Sequence, residues 1–398
     1  MNAPLLRIAL ATLAIAYAPD VFAQGKPAGA DEGCDTACRA ARNNPKPKFV
    51  SPEVGSDGRV TVRVYAPKAG SIGVAGLAPL NENGESQVAA ATKGEDGVWS
   101  YTSPPRAPGV YAYSVRIDGV DAYDPSNLWV VHGRQKLESL VEIGGGEDFA
   151  RNDPNIPHGA VAEVFYRTPG FNFDRRMRVY TPPNYGAKQE ILPMLFLLHG
   201  GSGSEDTWGK LGRANFILDK LIAEGKAKRM IVAMIDGYVD DYSKVSGVNP
   251  DLTTDDILKG AIPYLEANYM VSKEAKDRAI AGQSRGAAQT MAIARKHPGA
   301  FAYVGVFSFS RSRVGAFRKE MEAMTGDADW KSFGDMLTQH KHFYWTVGTE
   351  DGGAPDSRKV WELYKAKNVN VASDTRPGNH EWSVWRPALR DFAQKVFQ

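Results

Sequence analysis

Residues 278–295 read RAIAGQSRGAAQTMAIAR, and this stretch decides the fold. A short apolar segment, Arg278-Ala279-Ile280-Ala281, runs into Gly282-Gln283-Ser284-Arg285-Gly286. A helix-like run from Ala287 to Arg295 follows. Strand, sharp turn and helix is the setting a nucleophilic serine needs. The turn lifts the serine Oγ out of the sheet, and flanking glycines let backbones pack where a Cβ would intrude. Taken alone the pentapeptide is a weak signal, because glycine is common in this chain. Its local context gives it weight.

Outward from this turn, strands and helices alternate. Met194–Leu198, Met230–Ile235, Ala279–Gln283, Tyr303–Ser308 and Phe343–Val347 read as buried strands. Asp206–Ala227, Asp255–Tyr269 and Trp382–Phe397 read as helices. Alternation of this kind predicts a doubly wound, mostly parallel sheet covered on both faces, with its site at the carboxyl ends of the strands. Residues 47–143 read differently. Val60–Tyr65 alternates with period two, and Gly97–Thr102 and Gly109–Val115 follow between turn residues with no helical period. This predicts a small all-β sandwich before the α/β domain. Residues 144–158 form the linker between them, and the α/β domain occupies 159–398.

The chain begins with a targeting segment. Arg7 precedes an apolar run, Ile8–Ala16, too short to span a membrane, and Val21-Phe22-Ala23 offers small residues for signal peptidase. Residues 1–23 are therefore expected to be a signal peptide cut after Ala23, giving a secreted or periplasmic protein. Residues 24–46, rich in Gly, Ala, Lys, Asn and Pro, read as a flexible linker. The two cysteines, Cys34 and Cys38, lie in that tail, where export would permit a local bridge. No histidine neighbours them, so a metal site there is not expected. A formal charge of +2 over 398 residues, with no basic stripe, argues against nucleic acid. Beyond the signal peptide no segment suggests a membrane.

A serine nucleophile needs a base, an orienting acid and two N–H donors for the oxyanion. In an α/β-hydrolase sheet the order is serine, acid, histidine. His297, His340, His342 and His380 follow Ser284, and only His380 stands in a loop between a late strand and the last helix. It is the expected base. The acid should end the preceding strand, which selects Asp351, with Glu350 and Asp356 as competitors. His199-Gly200-Gly201 directly follows the strand at 194–198. One oxyanion donor is expected near Gly201 and the other from the N–H of Arg285, with His199 holding the loop. Trp208, Tyr238 and Trp382 are candidate substrate-binding aromatics, with Tyr242 and Trp385 behind them. Core packing competes for each. No metal or cofactor is called for.

From about residue 158 to the end, the chain resembles the feruloyl and acetyl xylan esterases of carbohydrate esterase family one. The matching strings, in order, are RVYTPPNY, LLHGGSG, IPYLEANYMVS, RAIAGQSRG, FAYVGVFS, GTEDGG and GNHEWSVWR. The resemblance carries a triad onto Ser284, Asp351 and His380. It implies an α/β hydrolase that releases feruloyl (hydroxycinnamoyl) or acetyl groups from plant cell-wall polysaccharide through an acyl-enzyme, as in xylan degradation. The family usually reads Gly-Leu-Ser-Met-Gly-Gly at the elbow. Here Gln283, Arg285 and Ala287 depart from it, and a buried ion pair is expected for Arg285. The earlier segment, through RVTVRVYAPKAG, DGVWSYT, PPRAPGVYAYSVRIDG and DPSN, resembles the immunoglobulin-like carbohydrate-binding module of glycogen-debranching and branching enzymes. It implies possible carbohydrate contact, although Trp99, Tyr111 and Tyr113 also suit a core. Two other readings stand beside the first. One is a siderophore (enterochelin-type) esterase, since those enzymes resemble the same two-part arrangement. The other is a non-catalytic carbohydrate-binding protein with a degenerate esterase domain.

Overall fold

The computed structural model describes residues 47–80, 86–187, 189–239, 250–369 and 371–398. The signal segment, the 24–46 linker, Cys34, Cys38 and Tyr242 lie outside the described residues. Phe49–Gln398 is one compact unit.

The N-terminal region is all β. One sheet is built from β1 (Glu53–Val54), β2 (Val60–Tyr65), β5 (Thr92–Lys93) and β6 (Val98–Thr102), in the order β1-β2-β6-β5. The other holds β3 (Ile72–Leu80), β4 (Ser86–Ala90), β7 (Gly109–Ile117), β8 (Val120–Ala122), β9 (Val130–His132) and β10 (Leu137–Ile143). Every second residue of β2 is buried, as the period-two pattern requires. Val60, Val62 and Val64 meet Val74, Val115 and Val141 of the other sheet in one apolar core. Trp99 and Tyr113 are spent on that core, at 8% and 0% exposed. Tyr111 is half-buried and carries the Arg106 guanidinium 4.6 Å from its ring centroid.

The rest is an eight-stranded sheet: β11 (Ala160–Tyr166), β12 (Arg175–Thr181), β13 (Met194–Leu198), β14 (Ile231–Ile235), β15 (Arg278–Ser284), β16 (Tyr303–Phe309), β17 (His342–Gly348) and β18 (Ala372–Arg376). Its order is β11-β12-β14-β13-β15-β16-β17-β18. From β14 to β18 neighbouring strands pair in parallel, and β11 and β12 close one edge antiparallel. The central strands MLFLL and IVAMI are buried at every position, because helices cover both faces. Two apolar cores result, one on each face.

The single helix expected over Asp206–Ala227 is two, Thr207–Lys210 and Ala214–Ala223. The break falls at Arg213, whose φ of 56° is left-handed. Gly212 sits so close to Trp208 that a Cβ would stand 2.6 Å from its ring, and this tight corner ends the first helix. The helix expected over Asp255–Tyr269 begins earlier, at Pro250, and passes through a π-turn at Asp256–Ala261.

Within Phe49–Gln398 the sandwich and the α/β part share buried contacts. Arg386, in the last helix Trp382–Ala393, is 2% exposed. Its Nη2 donates to Val110 O of β7 at 2.9 Å and its Nε to Leu211 O at 2.9 Å. Residues 144–158 carry a short 3-10 turn, Asp148–Ala150, whose Ala150 is buried in one core of the α/β part.

Candidate active site

Ser284 stands between β15 and the helix Arg285–Lys296 with φ 55° and ψ −115°, a strained conformation for a residue with a side chain. Two glycines make the turn possible. A Cβ on Gly282 would lie 2.5 Å from Gly286 C, and one on Gly286 would lie 2.4 Å from Leu198 O. The strand next door adapts too: Gln283 pairs with Phe307 but Ser284 with Phe309, so Ser308 is bulged out at φ 49°. Ser284 is half-exposed at the carboxyl edge of the sheet.

Asp351 follows β17 in a turn, and His380 follows β18 just before the last helix. The turn and the loop are packed together: Glu350 N–H donates to Gly378 O at 3.0 Å. His380 Nδ1 meets Asp351 Oδ2 at 2.6 Å, and Asp351 Oδ1 accepts from Gly353 N–H at 2.8 Å. Burial pushes the Asp351 carboxyl up, but the His380 contact and the Gly353 N–H outweigh it and hold the group below the usual carboxylate range. The Trp385 and His380 rings meet nearly perpendicular, with centroids 5.1 Å apart. Of the competing acids, Glu350 is exposed and Asp356 pairs with Arg318 at 2.8 Å. His297 is exposed, while His340 is buried against Phe301 O. Among the described residues no hydrogen bond joins Ser284 Oγ to His380; in unliganded hydrolases this contact is often long.

The loop after β13 supplies the opposite wall. His199 is 1% exposed. Gly237 N–H donates to its Nε2 at 3.0 Å, so Nε2 is the acceptor and Nδ1 carries the proton, which it donates to Gly200 O at 2.8 Å. Asp236 Oδ1 at 3.3 Å and Arg285 Nη2 at 3.4 Å are then close neighbours of a neutral ring. Burial lowers the His199 pKa further from its ordinary value, and the Arg285 charge adds to this. In a trans peptide the carbonyl and the next N–H point opposite ways. With Gly200 O fixed on His199, Gly201 N–H points away from the core, and among the described residues no atom beyond its chain neighbours lies within 4 Å of where a Gly201 Cβ would stand. Arg285 N–H opens a helix and so lacks an intrahelical partner.

The departures at the elbow have physical settings. Gln283 is 4% exposed and its side chain fills the space under Gly200, where a Cβ would lie 2.5 Å from Oε1. Among the described residues Arg285 does not make the expected ion pair. Its guanidinium lies 3.4 Å from the centroid of Tyr238, with Gly237 O and Gly200 O each 3.5 Å away. Burial with no carboxylate in direct contact among the described residues pushes its pKa down to about 10.

Among the candidate aromatics, Tyr238 is half-buried at the mouth of this loop, and Trp382 is half-buried against Trp208 and Trp385. Trp208 is a core residue instead of a pocket wall: it is 1% exposed and its Nε1 donates to Leu198 O at 3.0 Å. Trp385 is 6% exposed. Sequence reading missed Arg175, which is fully buried and holds the loop after β14 through Asp236 O and Tyr238 O at 2.5 and 2.8 Å. It also missed Asp236, although a carboxylate directly after a buried strand was a signal available to it. Among the described residues no group of three His, Cys, Asp or Glu could hold a metal ion, and no helix is long and apolar enough to cross a membrane.

A strained serine between a parallel strand and a helix, with a histidine–aspartate pair on later strands, defines the class: the fold is of the α/β-hydrolase type. The family model Esterase, described as "Putative esterase", matches residues 168–395, and the chain belongs to that family. It is 30% identical over 381 residues to an endo-1,4-beta-xylanase/feruloyl esterase of Xylanibacter ruminicola, covering 90% of this chain and 49% of that protein. The chain spans about half the length of the curated relatives it matches first, at 49% and 56%. In fold it is similar to a ferulic acid esterase of Anaeromyces mucronatus solved with ferulic acid: TM-score 0.52 and 19% identity over 65% of this chain and 98% of that one. It is also similar to the enterobactin esterase of Shigella flexneri solved with enterobactin: TM-score 0.62 and 15% identity over 92% of this chain and 99% of that one.

Proposed function

We propose that this protein is a secreted serine carboxylic ester hydrolase that releases feruloyl or acetyl groups from plant cell-wall polysaccharide. The observation that carries the chemistry is the 2.6 Å contact of His380 Nδ1 with Asp351 at the sheet edge that also presents Ser284. Asp351 fixes the ring and leaves Nε2 for proton transfer. Ser284 Oγ attacks the ester carbonyl carbon and its proton passes to His380 Nε2. The oxyanion is held by Gly201 N–H and Arg285 N–H. His380 returns the proton to the leaving alcohol as the C–O bond breaks, and water then repeats the sequence on the acyl-enzyme. Tyr238 and Trp382 contact the substrate.

The acyl preference rests on the likeness to the Xylanibacter ruminicola relative. Residues 1–23 are a signal peptide, 24–46 a linker, 47–143 an immunoglobulin-like module, 144–158 a connector and 159–398 the esterase domain. Any carbohydrate contact by the module uses surfaces other than Trp99 and Tyr113, which are buried. A siderophore esterase is the second reading, favoured by the likeness to the enterobactin esterase over 92% of this chain. Hydrolysis of methyl ferulate, acetylated xylan and a catecholate trilactone by wild type and Ser284→Ala separates these readings. Ser284-dependent release of ferulate or acetate supports the first. Turnover that survives Ser284→Ala refutes a serine esterase. No turnover and no labelling by a fluorophosphonate would favour a non-catalytic carbohydrate-binding protein.

A further inference from the structure

The hairpin between β9 and β10 reaches the loop that carries Gly201. Its tip is Gly133-Arg134-Gln135-Lys136. Arg134 N–H donates to Ser202 O at 3.1 Å, and Ser204 Oγ donates to His132 O. A Cβ on Gly133 would stand 2.8 Å from Ser202 O, so the two backbones touch there. Ser202 itself is held left-handed at φ 61°. Its N–H donates to Tyr238 Oη at 3.0 Å. Both polar backbone groups of the residue after Gly201 are thus committed, one to the sandwich and one to Tyr238.

Tyr238 is in turn fixed by stacking. The Arg134 guanidinium lies 3.7 Å from its ring centroid and that of Arg285 lies 3.4 Å away. Two guanidiniums this near one centroid cannot share a face, so the ring is clasped between them. Attraction of each cation to the ring offsets their mutual repulsion, and a half-buried ring strengthens it. The result is a relay from the sandwich to the oxyanion loop: Arg134 to Tyr238 to Ser202, with the Arg134 N–H to Ser202 O bond in parallel.

We propose that the N-terminal sandwich is a working part of the active site, with Arg134 as a positioning residue for the oxyanion loop. The proposal rests on the serine-esterase reading. Loop displacements of about 1 Å can cost about a hundredfold in rate, and the loss falls on kcat because the oxyanion exists only along the reaction path.

The test uses full-length protein and an aryl acetate or methyl ferulate, esters too small to need a separate sugar site. Wild type, Arg134→Ala, Arg134→Lys, the hairpin control Gln135→Ala and Ser284→Ala are compared for kcat, KM, Tm and rate of fluorophosphonate labelling. Arg134→Ala is expected to lower kcat by about tenfold or more, with KM within about threefold and labelling slowed in parallel. Arg134→Lys, which keeps the backbone bond and a cation but not the planar stack, falls between the two. Gln135→Ala matches wild type. Arg134→Ala with wild-type kcat, or a loss confined to KM or proportional to a fall in Tm across both Arg134 variants, overturns the proposal alone. A wild type without Ser284-dependent turnover overturns the esterase reading and this proposal with it.

Discussion

Arg386 of the last helix and Glu147 of the segment joining the two parts meet at 2.5 Å, with Arg386 only 2% exposed. The other two guanidinium nitrogens reach the carbonyls of Val110 and Leu211, so all three elements converge on one cation. Burial lowers the Arg386 pKa, and Glu147 opposes that effect without cancelling it. Arg386 thus ties the sandwich, the connecting segment and the α/β part together.

Arg386→Ala should therefore be costly. It strands a partly buried carboxylate and two carbonyls, and the expected loss is about 3–5 kcal/mol. Denaturant unfolding of the full chain, read by midpoint and slope, checks it. A change below about 0.5 kcal/mol would refute the coupling.

The acid assignment is testable by comparison of neighbours. Asp351→Asn is expected to lower kcat by three to four orders of magnitude, about what loss of a triad carboxylate costs elsewhere. Glu350→Gln and Asp356→Asn should stay within about threefold of wild type. Steady-state hydrolysis of one aryl ester by the three variants decides, and a larger loss in either neighbour would reassign the acid.

His158 gives a pH dependence. Its Nδ1 lies 2.9 Å from Asp219 Oδ2, and that hydrogen bond raises its pKa above the ordinary histidine value despite some desolvation. A folded pKa raised above the unfolded one contributes stability fully present below the unfolded pKa of about 6.5 and lost as pH rises through the folded value. His158→Gln should thus lower the unfolding midpoint at pH 5.5 more than at pH 9. Equal effects at both pH values would exclude the charge as the cause.

Arg285 offers a separation of stability from chemistry. Its charge is buried beside a ring and carbonyls, and the pKa falls to about 10 because the folded protein disfavours the cation. Arg285→Met removes that cost while keeping the backbone N–H. Tm should equal or exceed that of wild type, and Ser284 should still be labelled by a fluorophosphonate. A fall of several degrees, measured by thermal melting, would show that the stacked cation is a net stabiliser.

Much of the candidate site was legible because each element of it is local. Ser284 ends a strand of the sheet, Asp351, His380 and Gly201 come within a few residues after one, and parallel strands place their carboxyl ends along one edge. An apolar run ended by a glycine or a polar residue is visible in one dimension. Boundaries were less so. The break at Gly212-Arg213 depends on how closely Trp208 packs, and Trp208 itself belongs to the core because Phe307 and Trp382 close over it. A tryptophan near a site reads the same in sequence whether it faces in or out.

The sequence by itself determined the class of fold, the order of strands and helices around Ser284, and the residues at the strand ends, since hydrophobic period and turn chemistry act over a few residues. Only the tertiary structure decided what surrounds them. Arg285 lies on the aromatic face of Tyr238, and Arg134, remote in sequence from Tyr238 and Ser202, came to lie against both. Those contacts form where the sandwich packs against the α/β part, as the Arg386 contacts to Val110 and Leu211 also do, and long-range packing of that kind leaves no periodic trace in the chain.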